Sequence, residues 1–258
     1  MNKEGIEDKA DEYVNFEGNS VFFKNVFKTL SVLNNSAKIY FDKEEIRTSI
    51  FDPAHVMMIN LTIPKIVLGE YHVKQDTVLG IDLDKMNYIL KSSGKNDTFK
   101  FLYDIDKNID KSFIGIGIFN HEHALINKDG LPDSKIPNLE LPVIVKLDTK
   151  LLYDFLVQAD KISDYIEMVA TKDNFTLNAI GDSDKVTITL KGQLMNSYVC
   201  DKTYKSLYSI DYLLSIIKQL KVLFKDITLN MANDNPLRII CDNGYKVEVL
   251  LAPRIESD

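Results

Sequence analysis

Four stretches of the chain set apolar residues at helical spacing against a lysine-bearing opposite side. In residues 20–35, Phe22, Val26, Leu30 and Leu33 recur at i, i+4, i+8 and i+11, while Lys24, Lys28, Ser31 and Asn35 fall across the helix. Leu83, Met86 and Leu90 are followed the same way by Tyr88, Lys91 and Lys95. A third stretch buries Leu152, Phe155, Leu156 and Ala159 and shows Lys150, Asp154, Gln158 and Lys161. The fourth buries Leu213, Ile217 and Leu220 and shows Asp211, Ser215 and Lys218. Each predicts a helix packed on a sheet, with a sparse lysine face in solvent.

The segments between them alternate with period two, and they repeat. Residues 38–50 and 165–177 each read as strand, charged turn, strand. Both then enter an Asp-containing turn, Phe51-Asp52-Pro53-Ala54 or Gly181-Asp182-Ser183-Asp184, and a further alternating strand at 56–61 or 186–190. The two copies lie about half a chain apart, which predicts a duplicated α+β unit. The expected division is a polar extension at 1–12, a first domain at 13–126, a connector at 127–141 and a second domain at 142–258. The connector is rich in Pro, Gly, Asn and Asp and lacks periodicity.

Composition narrows the class. The 258 residues include 45% hydrophobic and 27% charged side chains, which excludes a disordered chain. With 31 Lys+Arg against 38 Asp+Glu the net charge is −7, which at first argues against a protein that coats nucleic acid or anionic lipid. Only Arg47, Arg238 and Arg254 are arginines, so anions meet lysine point charges rather than bidentate forks. Two cysteines, Cys200 and Cys241, make neither a disulfide framework nor a four-ligand zinc site. The N-terminus is polar, and no apolar run approaches the ~20 residues of a membrane span. A soluble intracellular protein is expected.

No catalytic constellation stands out. His121-Glu122-His123 places two imidazoles on one face of a strand, but no third ligand follows at a metal-site spacing. The run from Asp104 to Asp110 resembles the start of a calcium loop, yet Ile109 stands where the sharp turn needs Gly, and Gly115 where a bidentate Glu is needed. Gly115-Ile116-Gly117 lacks the third glycine of a dinucleotide fingerprint. No cofactor is expected. A metal-dependent enzyme using His121 and His123 is the alternative from another class.

Three stretches are more specific: Phe51-Asp52-Pro53-Ala54-His55-Val56 running to Leu61, Val78-Leu79-Gly80-Ile81-Asp82-Leu83 running to Lys91, and Leu250-Leu251-Ala252-Pro253-Arg254. In order and spacing they resemble the DNA sliding clamp of eukaryotes and archaea, the proliferating cell nuclear antigen family, and look most like its archaeal members. The resemblance covers residues 13–256. It implies two similar domains per subunit and three subunits joined head to tail in a ring, helices inside and antiparallel sheets outside. It also implies a DNA polymerase processivity factor that surrounds duplex DNA, in the cytoplasm or nucleoid of an archaeon or the nucleus of a eukaryote. A subunit of a heterotrimeric or checkpoint-type clamp remains open.

Three sets of residues follow from the resemblance. Lys24, Lys28, Lys91, Lys95, Lys150, Lys161 and Lys218 would face the phosphates of the threaded duplex, without reading sequence. The four helical stretches carry +2, +1, −1 and +1, leaving −10 for the rest. Asp154 and Val157 stand where eukaryotic relatives are basic, which puts the third helix's DNA contact in doubt. Ala124, Leu125 and Ile126 in one domain and Val186, Thr187, Ile188 and Thr189 in the other would supply the subunit edges. A pocket for short peptides of DNA polymerase, clamp loader, flap endonuclease and ligase would be lined by Phe51, His55, Val56, Met58, Pro236, Leu250, Leu251, Ala252 and Pro253, with Leu131 and Ile136 from the connector. Phe51 and Leu250 replace the Met and Tyr of eukaryotic relatives.

Overall fold

The computed structural model describes residues 13–104, 110–133 and 137–255. It divides into two units, Met1–Ile50 with Asn60–Lys135, and Phe51–Ile59 with Ile136–Asp258. The expected extension at 1–12 lies outside the described residues.

The first half of the chain forms β1 (Tyr13–Asn19), α1 (Ser20–Leu30), β2 (Ser36–Phe41), β3 (Glu45–Phe51), β4 (Met57–Pro64), β5 (Glu70–Val73), β6 (Thr77–Asp82), α2 (Leu83–Leu90), β7 (Thr98–Asp104), β8 (Lys111–Ile116) and β9 (Phe119–Ala124). The second half repeats that order with β10 (Val143–Asp148), α3 (Thr149–Ala159), β11 (Tyr165–Ala170), β12 (Phe175–Ile180), β13 (Lys185–Leu190), β14 (Ser197–Val199), β15 (Tyr204–Ser209), α4 (Ile210–Leu223), β16 (Asp226–Met231), β17 (Leu237–Asp242) and β18 (Lys246–Leu251). Strand order repeats too. The sequence β5-β1-β7-β8-β9 is matched by β14-β10-β16-β17-β18, and β4-β3-β2-β6 by β13-β12-β11-β15. The halves are therefore duplicated in topology as well as in hydrophobic pattern.

Short polar caps set where three of the helices begin. The Asn19 side chain accepts the amides of Val21 and Phe22, Asp82 accepts that of Lys85, and Asp148 that of Leu151. The cap on α1 also fixes its phase. The spacing alone predicts Phe22 on the buried face; in the structure Phe22 is half-buried and Phe23 takes its place. The Phe23 ring lies 4.7 Å from that of Phe99 and 5.4 Å from that of Phe16. Gly18 makes room for it, because a Cβ there would sit 2.6 Å from the ring. In α3 the buried set is Leu152, Phe155, Leu156 and Ala159, as the periodicity predicts, with Thr149 added. In α2 and α4 the predicted faces are extended by Ile89, and by Ile210 and Ile216.

The connector is less featureless than its composition suggests. Asn127 caps a short 3-10 turn at Lys128–Gly130, and Asp133 is held by Lys38 at 2.6 Å and by the Tyr40 hydroxyl, both on β2. Further along the connector, the Pro137 carbonyl accepts from Arg238 on β17 at 3.3 Å. The calcium-loop-like run joins β7 to β8, which pair as an antiparallel hairpin; residues 105–109 lie outside the described residues.

Candidate nucleic-acid and partner interfaces

In the first unit Lys28 on α1 and Lys91 at the C-cap of α2 are exposed, as is Lys95, which the spacing placed on the second helix but which lies in the turn beyond it because α2 ends at Leu90; none has a carboxylate partner among the described residues. Lys24 spans the helix pair, its Nζ donating to the Lys91 carbonyl at 3.0 Å. The second unit differs. Lys150 is ion-paired with Asp154 one turn on, and Lys161 lies 3.8 Å from Asp160, so of the three predicted lysines there only Lys218 lacks a carboxylate. Sequence reasoning missed Lys221, whose ammonium sits 3.1 Å from the centre of the Tyr153 ring in a cation–π contact between α4 and α3. The two residues lie on different helices, so no spacing along the sequence signals the pairing.

Six strands end a sheet among the described residues, β5, β6, β9, β13, β14 and β15, and the predicted edge residues fall at or beside two of them, β9 and β13. Val186, Thr187, Ile188 and Thr189 lie on β13, their other side paired in register with Ala179, Asn178, Leu177 and Thr176. In the first unit the open edge is Phe119–Ala124, so Ala124 closes it. Leu125 and Ile126 turn inward: their amides donate to the carbonyls of Asp110 and Gly80, both at 2.9 Å. Ile118 and Phe119, exposed at the start of this edge, were not singled out by the sequence.

The turn between β3 and β4 is organised by one buried carboxylate. Asp52 accepts the amides of Ala54 (3.0 Å) and Met57 (2.6 Å) and the hydroxyl of Tyr212 on α4 (3.0 Å). The turn carries His55 at φ 56°, with its ring 5.2 Å from that of Phe51. The C-terminal segment runs beside it, the Ala252 amide donating to the Val56 carbonyl at 2.9 Å. Exposed or half-buried surface here comes from Phe51, His55, Val56, Pro236, Ala252 and Pro253. Met58, Leu250 and Leu251 are buried and offer no surface to a partner. Leu131 is half-buried in the first unit, and Ile136 lies outside the described residues. Next to Pro253 an open depression, lined by Lys205, Leu207, Asn233, Asp234 and Arg254, escaped sequence reasoning. Arg254 is stacked 3.5 Å over the Tyr165 ring, and its amide bonds the Leu207 carbonyl.

The two histidines of β9 have different surroundings. His121 is half-buried near the Phe119 ring, whereas His123 is buried with Nε2 3.3 Å from the Asp82 carbonyl. Among the described residues no cluster of three or more potential metal ligands occurs. Burial holds the His123 imidazole below its ordinary value, with Asp82 opposing and Lys85 adding to the effect. The unfolded chain therefore takes up this proton first on acidification. His123 supports the fold fully above about pH 6.5, and that support is lost as pH falls through the lowered value. Urea unfolding followed from pH 8 to pH 5 is expected to show a steeper loss in the wild type than in His123→Gln; superimposable profiles would remove His123 from the account.

A chain whose second half repeats the helix positions and strand order of the first has the duplicated α+β architecture of a DNA clamp. The N-terminal domain model of proliferating cell nuclear antigen matches residues 14–114. The DNA polymerase sliding clamp of Methanococcoides burtonii is 32% identical over 240 residues, spanning 91% of this chain and 96% of that protein. That of Methanosarcina mazei is 30% identical over 245 residues, spanning 93% and 98%. The chain belongs to the DNA polymerase sliding clamp family. Among solved structures, Archaeoglobus fulgidus PCNA bound to the C-terminal region of FEN-1 superposes with a TM-score of 0.88 at 25% identity, covering 95% of this chain and all of that one. PCNA from Thermococcus kodakaraensis shares the fold, with a TM-score of 0.85 at 23% identity over 94% and 99% of the two chains.

Proposed function

We propose that the protein is a DNA polymerase processivity factor whose copies close head to tail into a trimeric ring around duplex DNA. The observation that carries this is that β9 and β13 end their sheets although their equivalents in the duplicated topology adjoin one another. In the duplicated topology β9 corresponds to β18 and β13 to β4. Strand β18 is bordered by β4, whose opening residues Met57–Ile59 belong to the second unit. The corresponding edges β9 and β13 have no such neighbour, and a second copy offers each the complement it lacks. Residues 13–126 and 142–258 would then be the two clamp domains, joined by 127–141.

The seven predicted lysines would face the duplex from inside the ring, attracting phosphates without fixing a register. Topological linkage rather than affinity would hold the clamp on DNA, which reconciles DNA binding with a net charge of −7. Short peptides from DNA polymerase, clamp loader, flap endonuclease and ligase would dock beside Phe51, His55, Val56, Ala252 and Pro253, with Leu131 and Ile136 as connector wall. The FEN-1 segment bound to the Archaeoglobus relative supports that assignment. In this role the chain is an intracellular, non-catalytic scaffold needing no cofactor.

Light scattering of the purified chain at micromolar concentration tests the ring. A mass of three times 29.4 kDa is expected. A monomer at every concentration would overturn self-assembly, and assembly only on adding a related clamp subunit would place the chain in a heteromeric ring.

A further inference from the structure

The two helix pairs, equal in topology, are unequal as phosphate-binding surfaces. Lys28 on α1, Lys91 at the C-terminal end of α2 and Lys95 in the turn beyond it are exposed and lack carboxylate partners among the described residues, and Lys24 Nζ donates to the Lys91 carbonyl across the helix pair. In the midst of this face stands Tyr88, 79% exposed. Asn87, one step round the helix, bonds Ser31 across the α1–α2 seam, and Leu83, Met86, Ile89 and Leu90 point into the core. Tyr88 therefore projects from the solvent side, one turn before Lys91. Asp84, the acidic residue of this face, stays in the first turn of α2, where the helix dipole favours it.

On α3 and in the turn that follows it, the lysines lie beside carboxylates. Lys150 is paired with Asp154 and Lys161 with Asp160, and Lys221 rests on Tyr153. The large apolar residues exposed on α3 and α4, Val157 and Val222 at 39% and 59%, offer phosphate no hydrogen bond. Exposed pairs of this kind are worth little in themselves, but Asp154 and Asp160 bring their own negative charge to the surface and offset the attraction these lysines would have for phosphate.

Resting on the clamp assignment above, we propose that the duplex rides on the helix pair of the first unit, with Tyr88 donating its hydroxyl to the sugar-phosphate backbone among Lys28, Lys91 and Lys95, while the helix pair of the second unit contributes little beyond Lys218. Three such sites, one per subunit, would hold DNA through one half of each protomer. The phenol adds an uncharged hydrogen bond to lysine point charges, and so a contact that salt does not screen in the same way.

The test is the affinity of the intact ring for a short fluorescent duplex, followed by anisotropy across a salt series, with light scattering confirming that each variant keeps the wild-type mass. Each lost phosphate contact lowers the log–log salt slope by about 0.9. The Lys28→Ala, Lys91→Ala, Lys95→Ala triple variant is expected to lower it by about 2–3, and the Lys150→Ala, Lys161→Ala, Lys218→Ala triple by about 1 or less. Tyr88→Phe is expected to weaken binding roughly two- to tenfold with the slope unchanged. Equal slope losses in the two triples would overturn the division of labour, and wild-type affinity in Tyr88→Phe would remove Tyr88. A wild-type ring whose duplex binding shows no salt dependence would instead overturn the assignment of the helix faces to DNA, and this inference with it.

Discussion

Asp52→Ala is expected to cost roughly 3–5 kcal/mol of stability and to abolish peptide binding, because three donors converge on one buried carboxylate. The amides of Ala54 and Met57 and the Tyr212 hydroxyl would each lose an acceptor, and two of these fix the turn that presents His55 and Val56. His55 sits at positive φ, so the turn depends on bonds that outweigh the cost of that backbone conformation. Tyr212→Phe removes one donor and keeps the turn bonds; a loss of about 1 kcal/mol with peptide binding preserved is expected there. Thermal unfolding together with titration of a FEN-1 C-terminal peptide checks both. An Asp52→Ala protein that binds peptide like the wild type would show that this turn does not shape the docking surface.

Gly80→Ala should be nearly as damaging although it adds one methyl group. A Cβ at Gly80 would stand 2.3 Å from the Ile126 carbonyl oxygen and 2.9 Å from its Cγ1, and the Gly80 carbonyl itself accepts the Ile126 amide at 2.9 Å. The chain after β9 lies directly across β6, and a methyl group there must displace backbone rather than a flexible side-chain tip. A loss of about 2–4 kcal/mol is expected, with the open edge of β9 losing its anchor. Urea unfolding measures the first effect and dilution light scattering the second, the ring dissociating at higher concentration than the wild type. Unchanged stability and an intact ring would mean that Leu125 and Ile126 detach without consequence.

Much of the fold is legible in sequence because it rests on local periodicity. The face of α3 and the strand–turn–strand units at 38–50 and 165–177 follow from the alternation of apolar and polar residues. The phase of α1 does not, because Phe22 and Phe23 are equally apolar and only the Asn19 cap and the space above Gly18 choose between them. The short strands β5 and β14 carry too few residues to show a period, and β1 and β10 adjoin a helix without a turn signal. At the candidate sites, the Asp52 turn is visible as a motif, but its tie to Tyr212, 160 positions away, depends on how α4 packs. Burial of Met58, Leu250 and Leu251 likewise depends on strands that meet only in the folded sheet.

The amino-acid pattern by itself determined a duplicated α+β chain with four amphipathic helices, an acidic body and a lysine side to each helix. Composition could not rank those lysines, because pairing is a matter of distance between side chains rather than of residue type. The tertiary structure decided which lysines lie beside a carboxylate, that β9 and β13 end their sheets while β18 and β4 adjoin, and that Leu125 and Ile126 turn away from the β9 edge to bond Asp110 and Gly80. Backbone hydrogen bonds between distant strands and carboxylates within reach of an ammonium are set by packing, and a linear sequence carries no record of either.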